Sequence, residues 1–478
     1  MTFLWFSFCR MVSVLSSADC AWDALDWKGI HYRVRKIQKR IARAAASKDW
    51  HAVSELQKMV YHSYECRLLA VHRVTTQKNT RTPGLDGKFW GTDEERYAAV
   101  DSLLDLERYC PKPFKRFLVP KDHDRTKKRP LSVPVIYDRA VQGLVLIGLD
   151  PVVEVLADKH AYGFRCNRSA YDTIYDIVTY LGFGEGRQWF LRTDVKECFD
   201  HISHDWLLRH TPMDKKLLKT ILTCGYISKD GFFPTTEGVP QGGVLSPVIT
   251  TLALSGFEKI VQMQFPDVRM VRFADDFIFA AENREILLTV LERFKEFLSE
   301  RGLSVSEQKT HVEHISRGFD FIGWNIISLR GVLHLTPSEQ SVQELKTYIQ
   351  NILRQGRKWT CRRLVLKLND VISGWTQYHV YLCSQEVFAN LDDWIANELW
   401  QWAIQRHPKH TAKWIYEHYW IKSGGRRTFT TGDEKLLRFA DITIRVSEPL
   451  DLTKNPYLDV QYFRTRQKEK YGYKKKGR

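Results

Sequence analysis

The chain has 478 residues, enough for two to four domains, and carries 72 Lys and Arg against 56 Asp and Glu, a formal charge of +16. That surplus points to a polyanionic partner, nucleic acid before membrane, and the absence of any run of about 18 apolar residues excludes a readable membrane-spanning helix. The 9 cysteines form no Cys-x-x-Cys pair, which excludes a zinc ribbon and fits buried thiols in a reducing compartment.

The first residues, "MTFLWFSFCRMVSVLSS", are apolar but broken by Arg10 and show no cleavage site. They read as an N-terminal extension, with a weak targeting signal as the alternative. Residues 28–48 carry eight Lys or Arg and no acid, with Ile30, Val34, Ile37 and Ile41 at helical spacing. A basic amphipathic helix follows, one face on a core and the other, with Arg33, Lys36, Arg40 and Arg43, on phosphate; a solvated surface helix is the alternative. A second helix is expected over 50–74. The Pro- and Gly-punctuated loop "RTPGLDG", which opens on Arg81, then marks a boundary.

"FKRFLVPKDHDRTKKRPLSVP" holds two apolar strands around a basic turn, a hairpin pattern. Strand and helix signals alternate from there to about Ile326. Thr336 as N-cap, Pro337 at the first position and Glu339 as capping-box acid predict a helix start. Val342, Leu345, Ile349 and Ile352 would be its buried face, and Gly356 its end. Leu364, Leu368, Val371, Trp375 and Tyr378 predict a second helix, with Trp375 more at home in a core than as a base platform. The tail from Arg464 to Arg478, with eight basic residues and one acid, reads as a flexible arm.

In "VRFADDFIFA", Val271 to Ala280, two aspartates interrupt an apolar hairpin pattern. On its own the pair is cheap turn chemistry. It has company, however. "FLRTDVKECFDHISHDWL" places Asp194 at the end of an apolar strand, before a helix capped near Ser203. A strand-end carboxylate meeting a hairpin-tip carboxylate makes a hard oxygen site that suits Mg²⁺, which takes one or two carboxylates plus substrate phosphates. "EGVPQGGVLSP", Glu237 to Pro247, is a loop whose small residues let backbone approach a nucleotide. Lys121 and Arg129 on the basic hairpin can reach a triphosphate.

Taken in order, "RTPGLDG", "RPLSVP", "YDRAVQ", "YGFR", "TDVKECFDHISH", "GVPQGGVLSP", "RFADDF", "LSVSEQKT" and "GFDFIGWNI" resemble the reverse transcriptase domain of group II intron-encoded proteins. The resemblance runs from about residue 22 to 463. It implies an α+β right-hand polymerase: an N-terminal helical extension over 1–105, fingers and palm over 106–329, an α-helical thumb or domain X over 330–425, and a DNA-binding region with a basic tail over 426–478. By the same resemblance Asp194 and Asp275 bind two Mg²⁺ ions, helped by the carbonyl of Val195, with Asp276 as third acid. Phe199 matches the steric gate against a ribose 2′-hydroxyl, or is a plain core aromatic, and Gln241 belongs to the nucleotide pocket. Lys121 and Arg129 match the triphosphate pair, although "DHDRTKK" is longer and more charged than the usual turn, leaving Lys127 or Lys128 as substitutes for Lys121. Lys309 matches the general acid for pyrophosphate. Phe273 stands where many relatives carry Tyr, with the metal ligands unaffected.

In the thumb, Trp375, Tyr378, His379, Arg406, His407 and Pro408 match the domain X motif, which implies contacts of Arg406 and His407 with nucleic acid. Many relatives continue into an HNH endonuclease; the only tempting metal cluster here, "HVEH" at 311–314, lies in a predicted strand that splits its histidines between two faces. No second-strand cleavage is therefore expected. The expected function is reverse transcription of RNA with dNTPs and a DNA primer or target, plus binding of intron RNA to promote splicing and mobility as a lariat ribonucleoprotein. The expected location is bacterial cytoplasm or an organelle, without secretion; the residues set no oligomeric state. The competing readings are a catalytically idle RNA-binding splicing factor and a host-adopted reverse transcriptase for defence or repair.

Overall fold

The computed structural model describes residues 21–76, 82–120, 128–181, 186–379, 384–423, 426–442 and 448–471. Lys121, Lys127 and Arg81 lie outside these residues.

The N-terminal part is helical: α1 (Trp27–Ala46), α2 (Trp50–His62), α3 (Tyr64–Thr76) and α4 (Asp93–Ser102). Ile30, Val34 and Ile41 of α1 are buried and its cations point outward, as the spacing predicted. The single helix expected over 50–74 is instead two. Ser63 takes an extended ψ of 123° between α2 and α3, and its hydroxyl then bonds the amide of Cys66 at the start of α3. These helices share one core with Ile136, Val141, Leu144 and Ile147 of α5 (Ile136–Leu156).

The predicted hairpin is present as β1 (Phe114–Pro120) and β2 (Lys128–Val133), paired antiparallel. β3 (Ala161–Tyr162), α6 (Ala170–Thr179), β4 (Trp189–Asp194), α7 (Cys198–His201), α8 (His204–His210) and α9 (Lys215–Leu222) come next. β5 (Tyr226–Ser228) and β6 (Gly231–Phe233) complete a four-stranded sheet of order β2-β1-β5-β6. α10 (Ser246–Ala253) and α11 (Phe257–Gln264) lead to β7 (Arg269–Phe273), β8 (Asp276–Ala281), α12 (Arg284–Ser299) and β9 (His311–His314).

The central sheet has the order β3-β7-β8-β4-β9. Alternation along β4 and β8 splits their side chains between two cores. Leu191, Phe277 and Phe279 pack with α10, α11 and α12, whereas Phe190, Ile278 and Ala280 pack with α6 and the strands that follow. A sheet covered on both faces is rigid, and its strand ends are fixed platforms for side chains.

β10 (Phe319–Phe321), β11 (Trp324–Leu329) and β12 (Val332–Pro337) form a second antiparallel sheet. The helix expected to start at Thr336 starts two residues later. Thr336 and Pro337 pair with Asn325 and Trp324 as the end of β12, and Ser338 is the N-cap, its side chain accepting from the Ser341 amide. α13 (Glu339–Gln355) ends at Gly356 as expected, and α14 (Cys361–His379), α15 (Gln385–Arg406) and α16 (Ala412–Tyr419) complete the helical region. β13 (Trp420–Ser423) and β14 (Arg426–Phe429) follow, and Phe429, Leu436 and Phe439 join the core of these helices.

The arm expected to be flexible from Arg464 is helical as far as it is described, as α17 (Val460–Tyr471). Its segment returns to the first half of the chain. The Tyr457 hydroxyl donates to Asp150 of α5, and the Arg466 guanidinium donates to buried Asp172 of α6.

Candidate active site

Asp194 ends β4 directly opposite Asp276, which opens β8, and Asp275 sits in the two-residue loop between β7 and β8. Ala274, the other loop residue, has φ +55°, the positive value primed hairpin turns require and one that is costly without glycine. The loop is therefore held on every side. Ala274 N–H donates to Tyr162 O at 2.8 Å, and Val195 N–H donates to Asp275 O at 3.3 Å. The buried Arg272 guanidinium donates to Ala274 O at 3.1 Å, Thr251 O at 3.2 Å and Ser255 Oγ at 3.0 Å. That ties the aspartate loop to the C-terminal end of α10.

The carboxylates are electrostatically frustrated. Burial first, then the charges of Asp194 and Asp276, push Asp275 up to about 6; burial and Asp194 raise Asp276 as well. Lys309 Nζ is 2.8 Å from Asp194 Oδ2, and the charges of Arg192 and Lys309 both oppose the rise at Asp276. Lys309 closes a single 3-10 turn, and Ser306 N–H donates to Asp194 O at 2.7 Å, which anchors that turn to β4. Burial pulls the Lys309 pKa down, but the Asp194 hydrogen bond and the three carboxylates outweigh it, so it rises above the ordinary lysine value.

Among the described residues no three His, Cys, Asp or Glu side chains converge tightly enough to enclose an ion alone. The set still fits Mg²⁺, which needs only one or two carboxylates and completes its octahedron with carbonyl, water and substrate oxygens. Two repelling carboxylates beside a third are the arrangement a divalent cation relieves.

The residues expected at the nucleotide lie on α7, the 237–247 loop and β2. Phe199 lies on α7, half-buried against the main core. Val239 N–H donates to Phe199 O at 2.6 Å and Gly238 N–H to Ile202 O at 2.8 Å. Gly238 has φ +76°, and a Cβ there would lie 2.4 Å from Asp200 O, so only glycine lets the loop lie on α7. Gln241 O accepts from Ser132 N–H of β2 at 2.7 Å, and its amide donates to Asp200 Oδ2 at 3.2 Å. The loop thus joins the hairpin to the helix carrying Phe199. Arg129 is exposed on β2, paired with Val119.

The remaining candidates fall elsewhere. Lys36, Arg40 and Arg43 are exposed on α1, whereas Arg33 is held by Glu65 at 3.2 Å. Arg406 donates to Trp359 O at 2.7 Å and Arg357 O at 3.3 Å, and His407 bonds the Tyr419 hydroxyl at 2.7 Å, so both are engaged within the helical region. Trp375 is part of that core, its indole N–H donating to Ser341 Oγ at 3.3 Å. "HVEH" is β9, as expected for a strand. A cavity of about 1130 Å³ between α2, residues 104–109 and α8–α9 is lined by none of the three carboxylates. Sequence reasoning missed Arg272, Asp200 and the backbone strain at Ala274; the Arg before "FADD" was visible, but its targets are not.

Comparison with known families agrees with this geometry. Residues 22–103 match the N-terminal domain of reverse transcriptase, 119–326 the reverse transcriptase (RNA-dependent DNA polymerase) model, and 342–420 the group II intron maturase-specific domain. Protein YkfC of Escherichia coli (strain K12) is 26% identical over 343 residues, 62% of this chain and 89% of that protein. The group II intron-encoded protein LtrA of Lactococcus lactis is 26% identical over 328 residues, 54% of each chain, so this chain spans about half of LtrA. Maturase-like protein 1 of Euglena gracilis is 24% identical, covering 72% of this chain and 74% of its own. Fold and matched models define a reverse transcriptase, an RNA-directed DNA polymerase of a divalent-metal-dependent class. The chain belongs to the family of group II intron reverse transcriptases and maturases.

Proposed function

We propose that the chain copies RNA into DNA and, as a maturase, binds its intron RNA to promote splicing and retromobility as a lariat ribonucleoprotein. The observation that carries the polymerase reading is Asp194 facing Asp276 across β4 and β8 with Asp275 in the adjoining loop. Held by Asp194, Asp275 and the Val195 carbonyl, two Mg²⁺ ions would supply Lewis acidity to the attacking and leaving oxygens.

The primer 3′-hydroxyl gives up its proton to solvent and attacks the α-phosphorus of a dNTP, so that the new phosphodiester bond forms as the bond to pyrophosphate breaks. Lys309 holds a proton at Nζ and delivers it to the departing pyrophosphate oxygen. Arg129, with Lys121 beyond the described residues, takes the triphosphate charge. Phe199 stands against the sugar C2′ edge, and Gln241, fixed by Asp200, orients the nucleotide.

Intron RNA is gripped through phosphate by the exposed cations of α1. The fingers and palm occupy 106–329, the thumb 330–425 and a DNA-contacting region 426–478. The test is extension of a DNA primer on an RNA template with dNTPs and Mg²⁺, beside a self-splicing assay on the intron encoding the chain. Extension with faster splicing supports the reading; faster splicing without extension would leave an RNA-binding splicing factor.

A further inference from the structure

Phe164 is an aromatic residue at φ +57° whose side chain is half exposed. A bulky L-residue in the left-handed region is strained, and such strain persists only where its surroundings over-determine it. Here they do, from both sides. Before it, buried Tyr162 donates from its hydroxyl to Asp176 at 2.5 Å and accepts from Ala274 N–H at 2.8 Å. Gly163, at φ +77°, lets the chain touch the aspartate loop: a Cβ there would lie 2.6 Å from Ala274 N. After it, buried Arg165 grips Glu154 at 2.7 and 2.9 Å and also donates to the carbonyls of Asp158 and Ala161.

Among the described residues, the strained backbone brings the ring against another aromatic side chain. Phe164 meets Phe199 edge to face, centroids 6.1 Å apart and planes at 85°. No burial motive holds a half-exposed phenyl in a strained conformation, so the orientation of its neighbour is what the strain secures.

We infer that Phe164 is a specificity-determining positioning residue: its edge fixes the Phe199 ring against the sugar of the incoming nucleotide, so that a 2′-hydroxyl is refused. This rests on the proposed role of Phe199 as the wall beside C2′. Without the brace, the Phe199 ring can turn aside and a ribonucleotide fits.

The test measures kcat/KM for a dNTP and the matching rNTP on one RNA template and DNA primer, for the native chain and for Phe164→Ala, Phe164→Tyr, Phe164→Gly and Phe199→Val. The dNTP-over-rNTP ratio is expected to fall about tenfold in Phe164→Ala, the scale of one lost apolar contact, and to be kept by Phe164→Tyr. Phe164→Gly relieves the backbone strain and is expected to raise Tm while still lowering the ratio. A merely structural role predicts that ratio and Tm move together. A native ratio in both Phe164→Ala and Phe164→Gly, with a lowered one in Phe199→Val, overturns the inference alone. A native ratio in Phe199→Val overturns the role of Phe199 and this inference with it.

Discussion

The Lys309 ammonium lies 2.8 Å from Asp194 Oδ2, across 115 residues of sequence, and is the one cation bonded to the carboxylate group among the described residues. It therefore neutralises Asp194, and in the proposed reaction it would be the proton donor to the departing pyrophosphate. Lys309→Gln is expected to lower kcat by about 10²-fold with a smaller change in dNTP KM, and Lys309→Arg to recover part of the loss. Single-nucleotide incorporation kinetics measure both; an unchanged kcat contradicts the assignment.

Arg272 is the support beneath the aspartate loop. Burial pulls its pKa down to about 10, still charged at neutral pH, and its removal strands the acceptors on Ala274, Thr251 and Ser255. Arg272→Gln is expected to cost about 3 kcal/mol of stability. Thermal unfolding measures it. At a temperature where the variant is fully folded, primer extension is also expected to be slower, because the strained Ala274 loop has lost a clamp.

On the α1 surface Arg33 has a carboxylate partner, whereas Lys36 lies over the Tyr32 ring and Arg40 contacts the Met59 sulfur. Replacing Lys36, Arg40 and Arg43 by Gln together is expected to weaken RNA binding and to reduce the slope of log K against log salt by about 2. Arg33→Gln is expected to change the slope less than any of those singly, because Glu65 already holds its guanidinium. Filter binding across a salt series distinguishes the two.

Asp150 of α5 supplies a pH signature. Burial first, opposed by the Tyr457 hydroxyl bond, leaves its pKa at about 6. A folded pKa above the unfolded value near 3.9 means that ionisation costs more in the folded state, so this group's contribution falls as pH rises from about 4 to about 6 and is level above that. The span is on the order of 1–3 kcal/mol. Asp150→Asn is expected to flatten that part of the stability curve, measured by denaturant unfolding at pH 4.5, 5.5 and 7. A wild-type slope in Asp150→Asn contradicts it.

Local patterns in the chain foretold much of this architecture. The β1–β2 hairpin, the inward face of α1, the strand at "HVEH" and the Gly356 helix end each follow from spacing and turn chemistry within one window. The failures are also local. At 336, a Thr-Pro pair suits a helix start and a strand end equally, and pairing with Asn325 and Trp324, invisible in a single window, decided for the strand. At Ser63, helical periodicity continues through a residue whose backbone breaks it. The site followed the same division. The aspartates and the glycine loop were legible as motifs, but the Arg272 clamp, the Asp200–Gln241 bond and the Phe164–Phe199 contact are products of tertiary approach and positive φ, which residue order does not display. The return of Tyr457 and Arg466 to α5 and α6 spans 307 and 294 residues of sequence, and nothing near either residue signals it.

Asp194, Asp275 and Asp276 are the proposed polymerase centre. The most direct measurement is primer extension on an RNA template with dNTPs and Mg²⁺, comparing the native chain with Asp275→Ala/Asp276→Ala, after both are shown to fold and to bind RNA equally. DNA product is expected from the native chain and none from the variant. Equal product from both would contradict it.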